Sequence, residues 1–273
     1  MLDPSLLDAL AALDTPTICN ALEVVEPSRR GHGYNIRPFV CARPSLAPIV
    51  GYARTARIRA QHKPSQSANM IDYYRYIQEG GTQPSVVLIE DLDDTPGYGA
   101  FWGEVNTNVH YGLGCLGVVT NGSVRDLPDA QANFQMLAGM VNPSHAFVHV
   151  VDFGRPVTLH GMEASHDDLI HADQHGAVVI PESAAEAVVA EAARIAKQER
   201  ILITAAQQPG FSIKDIDCDA LSSQLVLQLG MAPIVQSAPT EQTQMLPPSL
   251  SGQLPGNGCQ DQRCARVGEV VAV

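Results

Sequence analysis

The 273-residue chain holds no apolar run of the roughly 18 or more residues that a membrane-spanning helix requires. Positive charge is scarce: 17 Lys and Arg stand against 29 Asp and Glu, a formal net charge of −12 with His neutral. A phosphate-tracking surface needs concentrated Lys and Arg, and no such cluster occurs, which argues against nucleic acid as a direct partner. Met1 to Leu13 carry acidic residues and no basic stretch, so nothing there reads as a secretory signal and a cytoplasmic location is expected. The six cysteines, at positions 19, 41, 115, 218, 259 and 264, are scattered and form no CxxC, as reduced thiols of a cytosolic protein would be. An acidic chain that binds an anionic substrate needs a local positive device: an Arg, a metal ion or a helix N-terminus.

What is present suits a soluble α/β protein, with 45% apolar and 17% charged residues. Asp3-Pro4 opens a helix through Leu6, Leu7, Leu10 and Leu13, and Thr15-Pro16 opens a second, with Thr15 as N-cap. Residues 27–47 read as a loop. Strands are expected at Ile49–Ile58, Val86–Ile89 and Leu116–Thr120, and helices at Ala68–Gln78, Gly103–Tyr111 and Leu127–Leu137. The texture then changes to short strands closed by tight turns: His145–Val150, Arg155–Leu159, Leu169–Ala172 and Ala177–Ile180, mostly antiparallel. A strong amphipathic helix covers Ser183–Arg200 and a weaker one Ile213–Leu229. Together these predict one mixed α/β domain over residues 1–230, with sheets and helices packed in layers. From about Met231 the composition shifts to Pro, Gln, Ser, Thr and Gly, so residues 231–273 are expected to form a flexible tail.

Gly112-Leu-Gly114-Cys-Leu-Gly117 matches the GxGxxG dinucleotide fingerprint, but a helix precedes it and a strand follows, the reverse of what that motif needs. These glycines are read instead as a helix stop and a turn. A stronger constellation is Gly103-Glu104 followed by Asn121-Gly-Ser-Val-Arg125-Asp126, which places Arg125 and Asp126 just past a buried strand, where α/β sheets usually bind ligands. An adjacent Arg and Asp also suit a surface pair or a helix cap, and Glu104 suits the first turn of any helix. His145 with His149, and His171 with His175, could hold a metal; packed or exposed side chains are the commoner reading.

Gly103-Glu104 and, eighteen residues on, Gly122-Ser-Val-Arg125-Asp126 resemble the central signature of RraA-like proteins and the 4-hydroxy-4-methyl-2-oxoglutarate aldolases. Leu13-Asp-Thr15-Pro-Thr17-Ile-Cys-Asn20-Ala-Leu22 resembles the family's opening helix, and Gly51-Tyr-Ala53-Arg-Thr55-Ala its first strand. Pro156-Val157 with Gly161, then Asp168 through Pro181, resemble its C-terminal strands. The likeness runs from about residue 5 to 205. It implies a layered mixed-sheet fold of the swivelling β/β/α type, assembled as a homotrimer or a pair of trimers.

The resemblance also implies a chemistry. Asp126 would bind a divalent metal, Mg²⁺ or Mn²⁺ or another such ion, with waters filling the shell. Arg125 would pair with a short 2-oxo acid, whose carboxylate would rest on the backbone N–H groups of the helix start at Gly103, Val105 and Asn106. Aldol cleavage and oxaloacetate decarboxylation both pass through a pyruvate enolate that metal and Arg stabilise. A metal-bound water, helped by Glu104 and by Glu199 from a neighbouring subunit, would serve as base. The family's other known role is protein binding, as a non-catalytic regulator of a ribonuclease. A methyltransferase label carried by some relatives needs an adenosylmethionine-binding glycine loop after a strand, and none is found.

Two departures stand out. The usual Gly-Asp-Leu turn is Asp167-Asp168-Leu169, which lacks a glycine that permits special backbone angles. Val105-Asn106-Thr107 replaces more apolar residues after the acidic position, with consequences for the pocket and the substrate.

Overall fold

The computed structural model describes residues 1–216, which divide into two units, Met1–Ala192 and a second that begins at Ala193. In the first unit the elements run α1 (Pro4–Ala11), α2 (Thr15–Val25), β1 (Val40–Cys41), β2 (Ile49–Arg59), α3 (Met70–Glu79), β3 (Ser85–Asp91), β4 (Ala100–Trp102), α4 (Glu104–Gly112) and β5 (Cys115–Val124). There follow β6 (Gln135–Val141), β7 (His149–Phe153), β8 (Val157–Leu159), β9 (Met162–Ala164), β10 (Leu169–Asp173) and β11 (Gly176–Ile180). Helix α5 (Ala185–Ala206) begins in this unit and ends in the second, which also holds α6 (Ile213–Ile216), capped by the Asp215 carboxylate accepting from Ser212 N at 2.8 Å. No described helix is long and apolar enough to cross a membrane. The expected tail, and all of the expected helix beyond Ile216, lie outside the described residues.

Nine strands form one mixed sheet in the order β1-β6-β5-β3-β2-β10-β11, with β4 beside β5 and β7 beside β2. Strands β2, β3, β5 and β6 are parallel neighbours, whereas β1, β7, β10 and β11 pair antiparallel. The parallel block is buried on both faces, so its strands are continuous apolar runs rather than alternating ones. Val87, Ile89, Val118 and Met136 point to one side, into a core with Tyr73 and Ile77 of α3 and with Trp102 and Phe134. Val86, Leu88, Val119 and Leu137 point to the other, beneath the β8–β9 hairpin with Val157, Leu159 and Met162. Helices on one face and a small hairpin on the other give the layered, curled mixed α/β fold expected.

Several local expectations change. The N-cap of α2 is Asp14, whose carboxylate accepts from Thr17 N at 2.8 Å; Thr15 is already helical. The expected helix Leu127–Leu137 is instead a set of turns followed by β6. Met136, Leu137 and Ala138 fill a slot parallel to β5 that only a strand can enter. Asp126 therefore precedes a turn rather than a helix. β5 also runs further than expected, to Val124, through a bulge between Thr120 and Ser123. His145 lies ahead of β7, so it shares no strand face with His149.

The glycines of the GxGxxG pattern do end α4 and turn into β5: Gly114 sits at φ +91°, in the left-handed region. His171 is buried and engaged by Thr15 Oγ1 at 3.0 Å and the carbonyl oxygen of Leu13 at 3.0 Å, while Asp173 accepts from Thr15 N at 2.9 Å. These contacts fasten the paired N-terminal helices to β10.

Candidate functional site

The site gathers where β4, α4 and the end of β5 meet. The bulge at Asn121–Gly122 redirects β5, as bulges beside active sites do. It is held by Asn121, whose amide accepts from Asp91 N at 2.7 Å and donates to Asp91 O at 3.0 Å. Beyond the bulge β5 runs beside β4, and Arg125 N donates to Trp102 O at 2.8 Å. That bond places Arg125 and Asp126 directly against Gly103, the N-cap of α4.

Gly103 has no side chain with which to cap α4. Asp126 takes over that task from across the chain, its Oδ2 accepting from Glu104 N at 3.3 Å. The approach is so close that a Cβ on Gly103 would lie 2.4 Å from Asp126 Oδ2 and 3.2 Å from Arg125 Cγ. Gly103 is thus required by space; its backbone is extended. Asp126 itself adopts φ +54°, and its carbonyl oxygen accepts from Asp129 N at 3.0 Å and Ala130 N at 2.8 Å. Arg125 Nε lies 3.7 Å from Asp126 Oδ2, and both side chains remain about one-third exposed (35% and 36%). Arg125 Nε is buried and lacks a hydrogen-bond partner.

The first-turn N–H groups of Val105 and Asn106 have no intrahelical acceptor, as at any helix start, and the dipole makes this end attractive to anions. Val105 is exposed. The Asn106 side chain is committed internally, donating to Phe101 O at 2.6 Å and accepting from Tyr74 Oη at 3.0 Å. Gly103, Glu104, Val105, Asn106, Arg125 and Asp126 therefore form one locus within the first unit. Glu199 falls on the part of α5 that belongs to the second unit.

Among the described residues no group of three or more His, Cys, Asp or Glu side chains could hold a metal ion. His145 and His149 turn their Nδ1 atoms to the nearby carbonyls of Ala146 and Phe147, and His175 pairs with Asp173 at 3.1 Å. A groove of about 610 Å³ elsewhere on the unit, lined by Arg29, Glu163, Asp167 and Glu182 among others, contains none of Gly103, Glu104, Val105, Asn106, Arg125 and Asp126. Sequence reading missed Thr107, Asn121 and Trp102 as supports of the site; the glycines at 103 and 122 were the visible traces of the tight packing they serve.

A family model described as RraA-like, Aldolase/RraA, matches residues 15–179. No curated protein matches the chain. A crystal structure of an uncharacterized protein from Pseudomonas syringae pv. tomato superposes with a TM-score of 0.60 at 22% identity, covering 80% of this chain and 98% of that one. RraAS2 of Streptomyces coelicolor, described as an unusual member of the RNase ES inhibitor RraA family, superposes with a TM-score of 0.61 at 20% identity, covering 75% and 99%. A structure described under novel cellulases from gut-associated microbes gives 0.61 at 17% identity, covering 73% and 87%. At these identities the likeness concerns the fold, and one fold can carry many functions.

Proposed function

Because the chain belongs to the RraA-like family, which includes both metal-dependent aldolases and non-catalytic ribonuclease inhibitors, we propose that it is a divalent-metal-dependent carbon–carbon lyase of short 2-oxo acids. The observation that carries this reading is the meeting of the Asp126 carboxylate, the Arg125 guanidinium and the N-terminus of α4 across a glycine that leaves room between them. One partly exposed carboxylate without a surrounding ligand cage suits Mg²⁺ or Mn²⁺, which retain several waters, and does not suit the enclosed His/Cys sets that hold Zn²⁺. When bound at Asp126, such an ion supplies Lewis-acid polarisation of the substrate's ketone and carboxylate oxygens.

The chain's own groups supply the rest. Arg125, with a buried Nε that lacks a partner, pairs with the anionic substrate. The free N–H groups of Val105 and Asn106 receive a carboxylate oxygen. The Glu104 carboxylate takes the proton from the C4 hydroxyl of 4-hydroxy-4-methyl-2-oxoglutarate. As the C4–O bond becomes a carbonyl, the C3–C4 bond breaks and its electron pair passes to the enolate of pyruvate. Arg125 balances that charge, and a proton returned to C3 releases the second pyruvate. Oxaloacetate needs no deprotonation: its C3–C4 bond breaks with loss of the C4 carboxylate as carbon dioxide, the electron pair passes to the same pyruvate enolate, and protonation at C3 gives pyruvate. Glu199 is proposed as an assisting carboxylate contributed by a neighbouring copy, in a homotrimer or a pair of trimers.

Pyruvate release from both substrates, coupled to lactate dehydrogenase with Mg²⁺ or with EDTA, tests the reading. EDTA is expected to abolish turnover, and Asp126→Ala to lower kcat/KM by about 100-fold or more. Turnover no greater than the metal-only blank on both substrates would overturn the lyase assignment. A pull-down against a ribonuclease would then examine the regulator role.

A further inference from the structure

The polar run that departs from the family pattern, Val105-Asn106-Thr107, has a use that the reaction above does not absorb. Thr107 is fully buried one turn into α4. Its hydroxyl donates to Gly103 O at 2.9 Å, with Glu104 O at 3.0 Å, and accepts from Gln131 N at 3.0 Å. One hydrogen and two lone pairs allow donation and acceptance together. The donated bond ends on Gly103, the residue against which Asp126 Oδ2 packs. The accepted bond ends on the far side of the turn that Asp126 begins, a turn closed by Asp129 N and Ala130 N on Asp126 O. The other links between α4 and this turn are weaker: an exposed Gln131–Asn108 contact at 3.3 Å and the Glu104 N–Asp126 contact, also 3.3 Å.

We propose that Thr107 is a positioning residue: its hydroxyl joins the Asp126 turn to the start of α4 and so sets the affinity of the Asp126 carboxylate for a divalent cation. The inference rests on the reading of Asp126 as the metal ligand. A valine has the same shape without either bond, and leaves the Gln131 N–H facing an apolar surface. The turn must then shift to find water, and the Asp126 carboxylate moves with it. Serine keeps both bonds.

Mn²⁺ titration of the full chain, followed by the paramagnetic resonance signal of the free ion, tests this without reference to turnover. Wild type, Asp126→Asn, Thr107→Ser and Thr107→Val are compared, each with its melting temperature. Wild type is expected to bind and Asp126→Asn not to. Thr107→Ser should stay within about twofold of wild type, and folded Thr107→Val should bind about 10-fold more weakly, the loss typical of removing a support behind a metal ligand. Should Thr107→Val not fold, Thr107→Ala takes its place with the same expectation. Wild-type affinity in the Val or Ala variant, with or without a lower melting temperature, would overturn the positioning role and leave Asp126 as ligand. Equal titrations for wild type and Asp126→Asn would overturn the metal reading itself, and this inference with it.

Discussion

At the scale of single residues the site turns on Gly103, because absence of a side chain is what lets two loops touch. Alanine there would set a methyl 2.4 Å from Asp126 Oδ2. With its backbone held at φ +54° by two hydrogen bonds to its own carbonyl, Asp126 can clear that methyl only by turning its carboxylate away from Glu104 N. An N-cap glycine changed to alanine costs about 1 kcal/mol or less in helix stability. Gly103→Ala should therefore remain folded yet lose at least about 10-fold in Mn²⁺ affinity, comparable to the loss of an outer support. Circular dichroism melting beside the titration separates the two effects. Unchanged affinity would mean that Asp126 has more freedom than its hydrogen bonds suggest. Gly103, Glu104, Arg125 and Asp126 were readable in the sequence through a family signature. Thr107 was noticed only as a departure, because nothing in a string of residues tells a buried hydroxyl bridging two segments from a pocket-lining one.

At the scale of elements, the turn between β9 and β10 shows a substitution with its compensation in place. Asp167 stands where the family pattern has glycine and adopts φ +62°, a conformation that costs a non-glycine residue about 1–2 kcal/mol. Its carboxylate accepts from the fully buried Arg54 at 2.7 Å and from Thr82 N at 3.0 Å. Restoring glycine relieves the backbone but removes the carboxylate partner of the buried Arg54 guanidinium, leaving it the carbonyl oxygens of Ala53 and Thr82, and takes away the acceptor of Thr82 N. The net effect of Asp167→Gly should be a loss of about 1–3 kcal/mol, the penalty of an orphaned buried polar group. Urea denaturation would read this as a lower midpoint; a higher midpoint would show that the backbone term dominates. Strands β2, β3 and β5 of the parallel block were legible from their apolar runs, and α5 from its amphipathic pattern. The error at Leu127–Leu137 has a physical cause. Its apolar spacing permits a helix, and the decision was made by the neighbouring edge of β5, information absent from the local sequence. The bulge at Asn121 was invisible for the same reason.

At the scale of the whole molecule, buried histidines make stability depend on pH. His110 is fully buried, with Nδ1 donating to Asn106 O at 2.6 Å and Nε2 facing Tyr73 Oη at 2.9 Å. Burial pushes its pKa down to about 4 from the ordinary 6.5. Between those values the unfolded chain binds more protons than the folded one, so stability falls as pH drops through 6.5 and stops falling from this cause near 4. Burial lowers the pKa of His171 as well, acting in the same direction. Urea midpoints measured from pH 7.5 to 4.5 should decline, with about 2 kcal/mol lost to His110 by pH 5. A profile that stays flat below pH 6.5 would show these groups to be protonated in the fold.

The register of β2 bears on how the chain reaches this structure. Its outer edge is covered at the start by β10, Ile49 lying opposite Ala172, and at the end by β7, Arg59 opposite His149. Both partners emerge from the ribosome about a hundred residues after β2. Until then the central strand carries an open row of hydrogen-bonding groups, the kind of edge that recruits other chains. Contacts this distant in sequence also slow the final closure of the sheet. The interval between synthesis of β2 and arrival of β10 is thus when the nascent chain is most exposed to aggregation and most dependent on protection by chaperones.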